Sequence, residues 1–146
     1  MRPHLYKGSL AGVGQDNAKR YYEPISGEKK KLLYKDAFKN NRAQYSVGLA
    51  DRFYNSYRAL VKGEYVDPDT MISIDTDSIG NMLKLRAEVC RIPEKVQNNG
   101  PRQILDKAEM KKLDIASPNM FDAMVMAFAN PADVDRKEFK PARRKY

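Results

Sequence analysis

Hydrophobic residues recur every three to four positions between residues 41 and 61, which is the spacing of one face of an α-helix. Gly63 follows this run, at a place where a helix commonly ends in a left-handed glycine. Basic residues are interleaved with the aromatic ones. This arrangement also suits stacking on nucleic-acid bases, but the helical spacing favours a buried core face. The apolar stripe consists of Tyr45, Leu49, Phe53, Tyr57 and the pair Leu60 and Val61, and the interleaved basic residues are Arg42, Arg52, Arg58 and Lys62.

A second helix is predicted from Ser117 to Ala129, because Ser117 is a favourable N-cap residue and Pro118 suits the first helical position. The residues that follow are apolar on nearly every side. A helix of that composition is normally buried on all faces, so we expect this one in the core. The main apolar face is Phe121, Met124, Val125 and Phe128, and the remaining sides carry Ala123, Met126, Ala127 and Ala129.

Shorter patterns complete the prediction of an α/β chain in which helices pack on a small, incomplete sheet. Asp77 or Ser78 is expected to cap a helix that ends before Pro93. Asn99 and Gly100 stand between two extended stretches, which is a strong signal for a β-hairpin. The other predicted elements are a short strand at residues 32–34, a short strand or extended segment at 71–74, hairpin arms at 95–97 and 102–105, and a short helix at 107–113.

The composition is that of a globular chain of one domain, with 146 residues, 42% of them hydrophobic and 32% charged. Cys90 is the only cysteine and His4 the only histidine, which excludes an intramolecular disulfide framework and a multi-cysteine zinc site and disfavours a histidine-based triad. No apolar run reaches the ~18 residues of a membrane span, and no signal-peptide pattern opens the sequence. We therefore expect a soluble, intracellular protein.

The net charge of +8 is concentrated at the two ends of the chain. Residues 1–42 carry a net charge of +6 and residues 136–146 a net charge of +5, whereas residues 43–135 carry −3. Basic ends suit a polyanion such as DNA or RNA, because each neutralised phosphate releases counterions. Solvated tails that keep the protein soluble are an equally good interpretation of the charge alone.

Asp122 is the only charged residue between Asp114 and Asp133, and it lies inside the apolar terminal helix. A carboxylate in a buried helix needs a basic side chain, backbone donors or a metal as its partner. Its position in the first turn favours interaction with the helix dipole, so one interpretation is that Asp122 helps to cap its own helix. The other interpretation is a ligand for Mg²⁺ or Mn²⁺, which prefer oxygen ligands and act in two-metal nucleases.

Three motifs follow one another in the run from about residue 38 to residue 131. The last is Ser117-Pro118-Asn119-x-x-Asp122-Ala123-x-x-Met126-Ala127-Phe128, preceded by Met110-Lys111-Lys112. The earlier two are Asn40-Asn41-Arg42-Ala43-Gln44 with Asp51-Arg52-Phe53-Tyr54, and Asp67-Pro68-Asp69 followed by Ile72-Ser73-Ile74. In this order they resemble the C-terminal nuclease region of the large terminase subunit of tailed bacteriophages.

The resemblance implies an RNase H-like fold, partial in this chain, with a small mixed sheet flanked by helices. In that family three acidic residues hold two Mg²⁺ or Mn²⁺ ions that cut concatemeric viral DNA. By resemblance Asp122 is the last of these acids, a metal ligand and a catalytic residue. Gly12-Val13-Gly14 resembles the stretch after a second acidic position, which falls near Ser9, and Asp16 is the nearest carboxylate. The first acidic strand and the ATPase region with its Walker motifs have no counterpart.

Three segments are expected: an irregular basic segment at residues 1–37, the nuclease-like domain at 38–131 and a basic tail at 132–146. The expected partner is double-stranded DNA, with other terminase subunits or the portal protein as further candidates and no membrane. The expected location is the cytoplasm of the bacterial host. The side chains predicted to contact DNA are Arg42, Lys111, Lys112, Arg143 and Arg144.

The sequence therefore predicts part of a terminase nuclease domain that makes metal-dependent endonucleolytic cuts in viral DNA during genome packaging. Because the first two acids are not recognisable, the activity of the isolated chain stays open. The alternative is a non-catalytic DNA-binding or assembly module, a phage or prophage remnant that keeps the nuclease fold without its full acid cluster. A third hypothesis is an unrelated α/β domain in which Asp122 is only a helix cap.

Overall fold

The longest element of the fold is a helix, α2, which spans Asn41–Lys62. The structure is a computed structural model that describes residues 21–22, 32–95 and 100–129. The helix begins where the Asn40 side chain accepts a hydrogen bond from the Ala43 N–H at 2.9 Å, and it ends at Gly63, whose φ of 67° lies in the left-handed region. The predicted helix and its glycine stop are both confirmed.

The apolar stripe of α2 is buried over only part of its length. Tyr45 and Leu49 are buried in a cluster with Phe121 and Val125. Toward the end of the helix Tyr57, Leu60 and Val61 are 46%, 80% and 68% exposed. The interpretation of the stripe as a core face is therefore confirmed for its first half and wrong for its last turns, because the terminal helix packs against the first half of α2.

Short helices and strands complete the fold. The predicted strand at residues 32–34 is confirmed for Leu32–Leu33, whereas Tyr34 already belongs to a short helix. The predicted short helix at 107–113 is confirmed as Lys107–Lys112. A 3-10 turn at Pro68–Thr70 begins where the Asp67 side chain accepts from the Asp69 N–H at 3.0 Å. The remaining elements are β1 (Tyr21–Tyr22), β2 (Leu32–Leu33), α1 (Tyr34–Ala37), α3 (Met82–Cys90), α4 (Lys107–Lys112) and α5 (Asn119–Phe128).

In the described ranges, β structure is limited to short pairings. Strand β1 pairs with β2 in antiparallel register, with Tyr21 opposite Leu33. Phe38 forms a parallel bridge with Arg102, and an antiparallel bridge joins residues 94 and 104. The last bridge joins Glu94, directly before the first predicted hairpin arm, to Ile104 of the second arm, and the Lys95 N–H donates to the Gln103 carbonyl at 2.7 Å. The rest of the first arm and Asn99 of the turn, at residues 96–99, lie outside the described residues. The chain is thus α/β, with parallel and antiparallel pairings in the same small structure.

Residues 71–74 are irregular rather than a strand. Their backbone is held by a side chain instead of a neighbouring strand: the Ile72 N–H donates to Ser56 Oγ at 3.0 Å, and Ser56 Oγ donates to the Ile72 carbonyl at 2.9 Å. Arg52 adds a bond from Nη1 to the Met71 carbonyl at 2.9 Å. The segment is therefore attached along α2 by side-chain hydrogen bonds.

The N-cap of helix α3 lies three or four residues later than predicted. Asn81 is the N-cap, with Oδ1 accepting from the Lys84 N–H at 2.9 Å. Asp77 and Ser78 belong instead to a separate turn, in which the Asp75 carboxylate accepts from the Asp77 N–H at 3.1 Å and from the Ser78 hydroxyl. The prediction of Asp77 or Ser78 as the cap is wrong because Asp75 already engages both of them.

The terminal helix α5 is half-buried, so the prediction that it is buried on all sides is wrong. Phe121 and Val125 are buried, at 4% and 1% exposure, but Met126 and Phe128 are 48% and 39% exposed. Tyr45 and Leu49 of α2 and Val89 of α3 pack on the buried side of the helix. The start also differs from the prediction. Pro118 is the N-cap residue without a capping side chain, and Ser117 Oγ donates to Asn119 Oδ1 at 2.9 Å instead.

Two apolar clusters hold the elements together. One joins β1, the end of α1, α2, the hairpin arm and α4, and the other joins α2 to α5. Tyr22 and Ala37 share the first cluster with Phe38, so part of residues 1–37 packs on the same core as the segment predicted to be the domain. The buried members are Tyr22, Ala37, Phe38, Ala43, Val47, Ile104 and Met110 in the first cluster, and Tyr45, Leu49, Phe121 and Val125 in the second.

Candidate functional site

Asp122 lies in the first turn of α5, with its side chain 13% exposed. Oδ1 accepts from Nε and Nη2 of Arg42, both at 3.3 Å. Oδ2 faces the Nζ of Lys107 at 3.1 Å. Both carboxylate oxygens therefore meet a cation. The sequence left basic side chains, backbone donors and a metal open as partners of this carboxylate, and in the structure the partners are two basic side chains.

Arg42 joins three parts of the fold. Its side chain projects from the start of α2, is 16% exposed and reaches Asp122 on α5. Its Nη1 donates to the Leu105 carbonyl at 2.6 Å, which ties the same guanidinium to the hairpin arm. Nε, Nη1 and Nη2 each donate one hydrogen bond inside the protein, so Arg42 is placed to hold Asp122. The contact of Arg42 with DNA stays a prediction.

Lys107 is a site residue that the sequence analysis missed. It opens α4, a helix whose start is fixed by a reciprocal capping box between Asp106 and Glu109. Lys107 and Lys111 are four residues apart and so share a face of that helix. Lys111 and Lys112 are exposed, as a contact with DNA requires. The capping pattern Asp-x-x-Glu was the available signal for the helix, but nothing local indicated that its first lysine meets Asp122.

Glu88 is a second residue that the sequence analysis missed. Its Oε2 accepts from the Met120 N–H at 2.7 Å and from the Phe121 N–H at 3.1 Å. The carboxylate on α3 thus caps α5, the role that the sequence assigned to Ser117. Because Glu88 precedes the helix by about thirty residues, no pattern within the helix could have indicated it.

The described residues do not by themselves make a two-metal centre. In residues 21–22, 32–95 and 100–129, no three His, Cys, Asp or Glu side chains are grouped so that they could hold a metal ion. Asp122 has the oxygen ligands that Mg²⁺ or Mn²⁺ prefers, but Arg42 and Lys107 contact them. Asp16, Arg143 and Arg144, which the sequence added to the site, lie outside the described residues.

A second polar cluster lies on the other side of α2. The Tyr22 hydroxyl donates to Asp51 Oδ2 at 3.2 Å and accepts from Arg102 Nη1 at 3.2 Å. Arg102 also forms a two-bond pair with Glu94, at 2.6 and 2.8 Å. Burial raises the pKa of Asp51, and burial together with the Asp51 charge raises the pKa of Tyr22. This cluster links β1, α2 and the hairpin, and none of its residues contacts Asp122.

A cavity of about 170 Å³ opens beside this cluster. Asp51, Glu94 and Arg102 contribute its polar wall, and Phe53 and Phe121 belong to its apolar wall. In the part of the chain that the structure describes, no helix is both long enough and apolar enough to cross a membrane.

No protein-family profile and no curated protein matches the chain. Among solved structures, the chain is similar to nuclease domains of the large terminase subunit of a bacterial virus. The nuclease domain of the large terminase subunit of bacterial virus Sf6 is 40% identical, with a TM-score of 0.71, over 86% of this chain and 52% of that one. A single-residue variant of that domain with manganese is 38% identical, with a TM-score of 0.68, over 86% and 53%.

A variant with calcium, from the large terminase subunit of the same phage, is 40% identical, with a TM-score of 0.71 and coverage of 86% of this chain and 52% of that one. These likenesses confirm the resemblance to the terminase nuclease region. The chain is similar to that domain and spans about half the length of the structures it matches.

Proposed function

We propose that this chain forms the part of a phage terminase nuclease domain that carries Asp122 and that it takes part in metal-dependent cleavage of viral DNA during packaging. The observation that carries the proposal is the 40% identity over 86% of the chain to the Sf6 nuclease domain. The Sf6 structures with manganese and calcium support Mg²⁺ or Mn²⁺ as the cofactor. Because the chain spans about half of that domain, nuclease activity of the complete domain is proposed here from the half that this chain matches.

In this proposal Asp122 supplies one carboxylate of the metal site, and Asp16 is a candidate for a second. A pair of metal ions in such a site activates the attacking water and stabilises the leaving oxygen. Arg42 and Lys107 fix the direction of the Asp122 carboxylate through contacts of 3.3 and 3.1 Å. A metal ligand role requires at least Lys107, the more exposed of the two cations, to move away from Oδ2.

The proposed architecture is the RNase H-like one, with a small mixed sheet flanked by helices. The parallel bridge at Phe38 and the antiparallel bridge at Glu94 share the segment around Arg102 and Ile104, which supports a mixed strand order. The domain limits of 38–131, with basic segments on either side, are part of the same proposal.

Double-stranded DNA is the proposed substrate. Lys111 and Lys112 are exposed on α4, and Lys107 on the same helix lies beside Asp122, so phosphates that reach α4 would lie close to the carboxylate. Arg143 and Arg144 are proposed as additional phosphate contacts from the basic tail. Other terminase subunits or the portal protein are the proposed protein partners, and the host cytoplasm is the proposed location.

A second candidate function is a non-catalytic DNA-binding or assembly module. The observation that favours it is that both carboxylate oxygens of Asp122 already contact cations, Oδ1 that of Arg42 and Oδ2 that of Lys107. The lack of any three-residue metal-ligating group in residues 21–22, 32–95 and 100–129 agrees with it. In this case Asp122 connects α5 to α2 and α4.

Titration of Mn²⁺ by calorimetry, together with nicking of supercoiled plasmid, separates the two functions. We expect weak Mn²⁺ binding, with a Kd of about 1 mM, that is lost in Asp122→Asn, because the amide lacks the charge that a hard cation needs. Asp114→Asn is the matched control. It removes an exposed carboxylate at a residue with a φ of 55°, which asparagine tolerates.

Equal Mn²⁺ binding in wild type and Asp122→Asn would refute the ligand role. DNA binding without Mn²⁺-dependent nicking would support the non-catalytic module.

A further inference from the structure

Glu88 belongs to the last turn of α3, yet its carboxylate meets the start of α5. Oε2 accepts from the Met120 N–H at 2.7 Å and from the Phe121 N–H at 3.1 Å. An acidic side chain near the C-terminus of its own helix is unfavourable to that helix, whereas the N-terminus of another helix attracts it. A glutamate at this place is therefore unfavourable for α3, and its stabilising contacts are those with the N-terminus of α5.

The other donors in the first turn of α5 are satisfied locally. The Asn119 N–H donates to the Ser117 carbonyl at 3.0 Å, and the Asp122 N–H donates to the Pro118 carbonyl at 2.9 Å. Pro118 has no N–H. The Ser117 hydroxyl is bonded to the Asn119 side chain and does not cap the helix. Glu88 accepts from the two N–H groups that remain.

We propose that Glu88 is a positioning residue for Asp122. Phe121 and Asp122 are consecutive, so the bond from Glu88 fixes the backbone directly before the functional carboxylate. This fixes the direction from which the carboxylate meets Arg42 and Lys107. The proposal rests on the proposed function in taking Asp122 as the carboxylate that acts.

Two substitutions separate the hydrogen bonds from the charge. Glu88→Ala removes the acceptor, whereas Glu88→Gln keeps a side-chain oxygen that accepts from the same two N–H groups but lacks the charge. Asn81→Ala is the matched control. It removes a cap bond of 2.9 Å to the Lys84 N–H at the other end of α3 and leaves the contacts with α5 in place.

The first measurement needs no metal. The ¹⁵N NMR signal of the Arg42 Nε–H reports on its bond to Asp122, and Asp122→Asn gives the position of that signal when the charged partner is lost. We expect Glu88→Ala to move the signal toward that position and Glu88→Gln and Asn81→Ala to leave it near that of the wild type. An unmoved signal in Glu88→Ala, or an equal movement in Asn81→Ala, would overturn the proposal.

The second measurement is Mn²⁺ affinity by calorimetry. We expect Glu88→Ala to weaken binding by about tenfold or more, as loss of outer-shell partners commonly does, and Glu88→Gln to restore most of it. Equal weakening in both variants would mean that the charge acts at a distance and would overturn the positioning role. If the wild type shows no Asp122-dependent Mn²⁺ binding, the proposed function fails, and the Arg42 signal still decides the role of Glu88.

If Glu88→Ala does not fold, Glu88→Asp replaces it in the NMR measurement. The shorter side chain keeps the charge but moves the acceptor back by one methylene group. We expect this variant to shift the Arg42 signal, and an unchanged signal would overturn the proposal.

Discussion

Replacing Arg42 with Met should destabilise the chain far more than replacing Lys107 with Met, although both side chains contact Asp122. Arg42→Met keeps a long apolar side chain but removes two bonds to Asp122 Oδ1 and one to the Leu105 carbonyl. The Arg42 and Asp122 side chains are 16% and 13% exposed, whereas Lys107 is 58% exposed. Asp122 thus forms one ion pair that is shielded from solvent, with Arg42, and one that is exposed to solvent, with Lys107.

The magnitude follows from this difference in exposure. Removing one partner of a buried ion pair costs about 3–5 kcal/mol, and an exposed pair is worth about 0.2–1 kcal/mol. Lys107 remains in Arg42→Met and partly compensates the charge of Asp122. We therefore expect a loss of about 2–3 kcal/mol in the free energy of unfolding for Arg42→Met and less than about 1 kcal/mol for Lys107→Met.

Urea unfolding followed by circular dichroism at pH 7 measures both variants. A shift in midpoint with an unchanged slope identifies the difference as one of stability. The double variant Arg42→Met with Asp122→Asn gives the coupling between the two side chains. Equal losses for Arg42→Met and Lys107→Met, or a loss under about 1 kcal/mol for Arg42→Met, would refute the reasoning from exposure.

Phe121→Ala should lower the free energy of unfolding in urea by about 3–5 kcal/mol, because Phe121 is 4% exposed. Phe128→Ala should lower it by about 1–2 kcal/mol, because Phe128 is 39% exposed, and equal losses would contradict the half-buried position of α5. Lys107→Met should strengthen Mn²⁺ binding in calorimetry, since Oδ2 of the carboxylate is then free of its ammonium partner, and weaker binding would contradict this. Burial raises the pKa of Asp51, so the folded chain binds the proton of this carboxyl group more tightly than the unfolded chain does. The contribution of Asp51 to the free energy of unfolding therefore falls as pH rises from the ordinary Asp pKa of about 3.9 through the raised value. Asp51→Asn should flatten that decline in a pH series of urea unfolding curves, and an unchanged series would oppose the assignment. Deleting residues 136–146 should reduce the dependence of duplex DNA affinity on salt concentration, and an unchanged slope would show that this segment makes no phosphate contacts.

Local patterns were sufficient to predict the main helices. The period of the apolar residues and the glycine that follows predicted α2, and Asn-Gly between extended stretches predicted the paired hairpin arms. Asp122 stood out because it is a lone charge in an apolar helix. In each case residues close in the sequence carry the information, since helix periodicity and turn conformation depend on near neighbours.

Caps were less predictable than helices. Asp75, Asp77, Ser78 and Asn81 all have side chains that can cap, and the sequence does not rank them. Asp75 bonds to Asp77 and Ser78 in a turn, which leaves Asn81 to begin α3. Ser117 likewise has a capping side chain but bonds to the next polar residue.

By itself the sequence determined that α5 forms, that it is apolar and that Asp122 needs a partner. Only the tertiary structure decided that the partners are Arg42, 80 residues earlier, and Lys107, and that Glu88 caps the helix from α3. It also decided that one side of α5 stays exposed. The physical reason is that a helical pattern specifies which residues share a face, whereas the neighbour of each face depends on how distant segments pack.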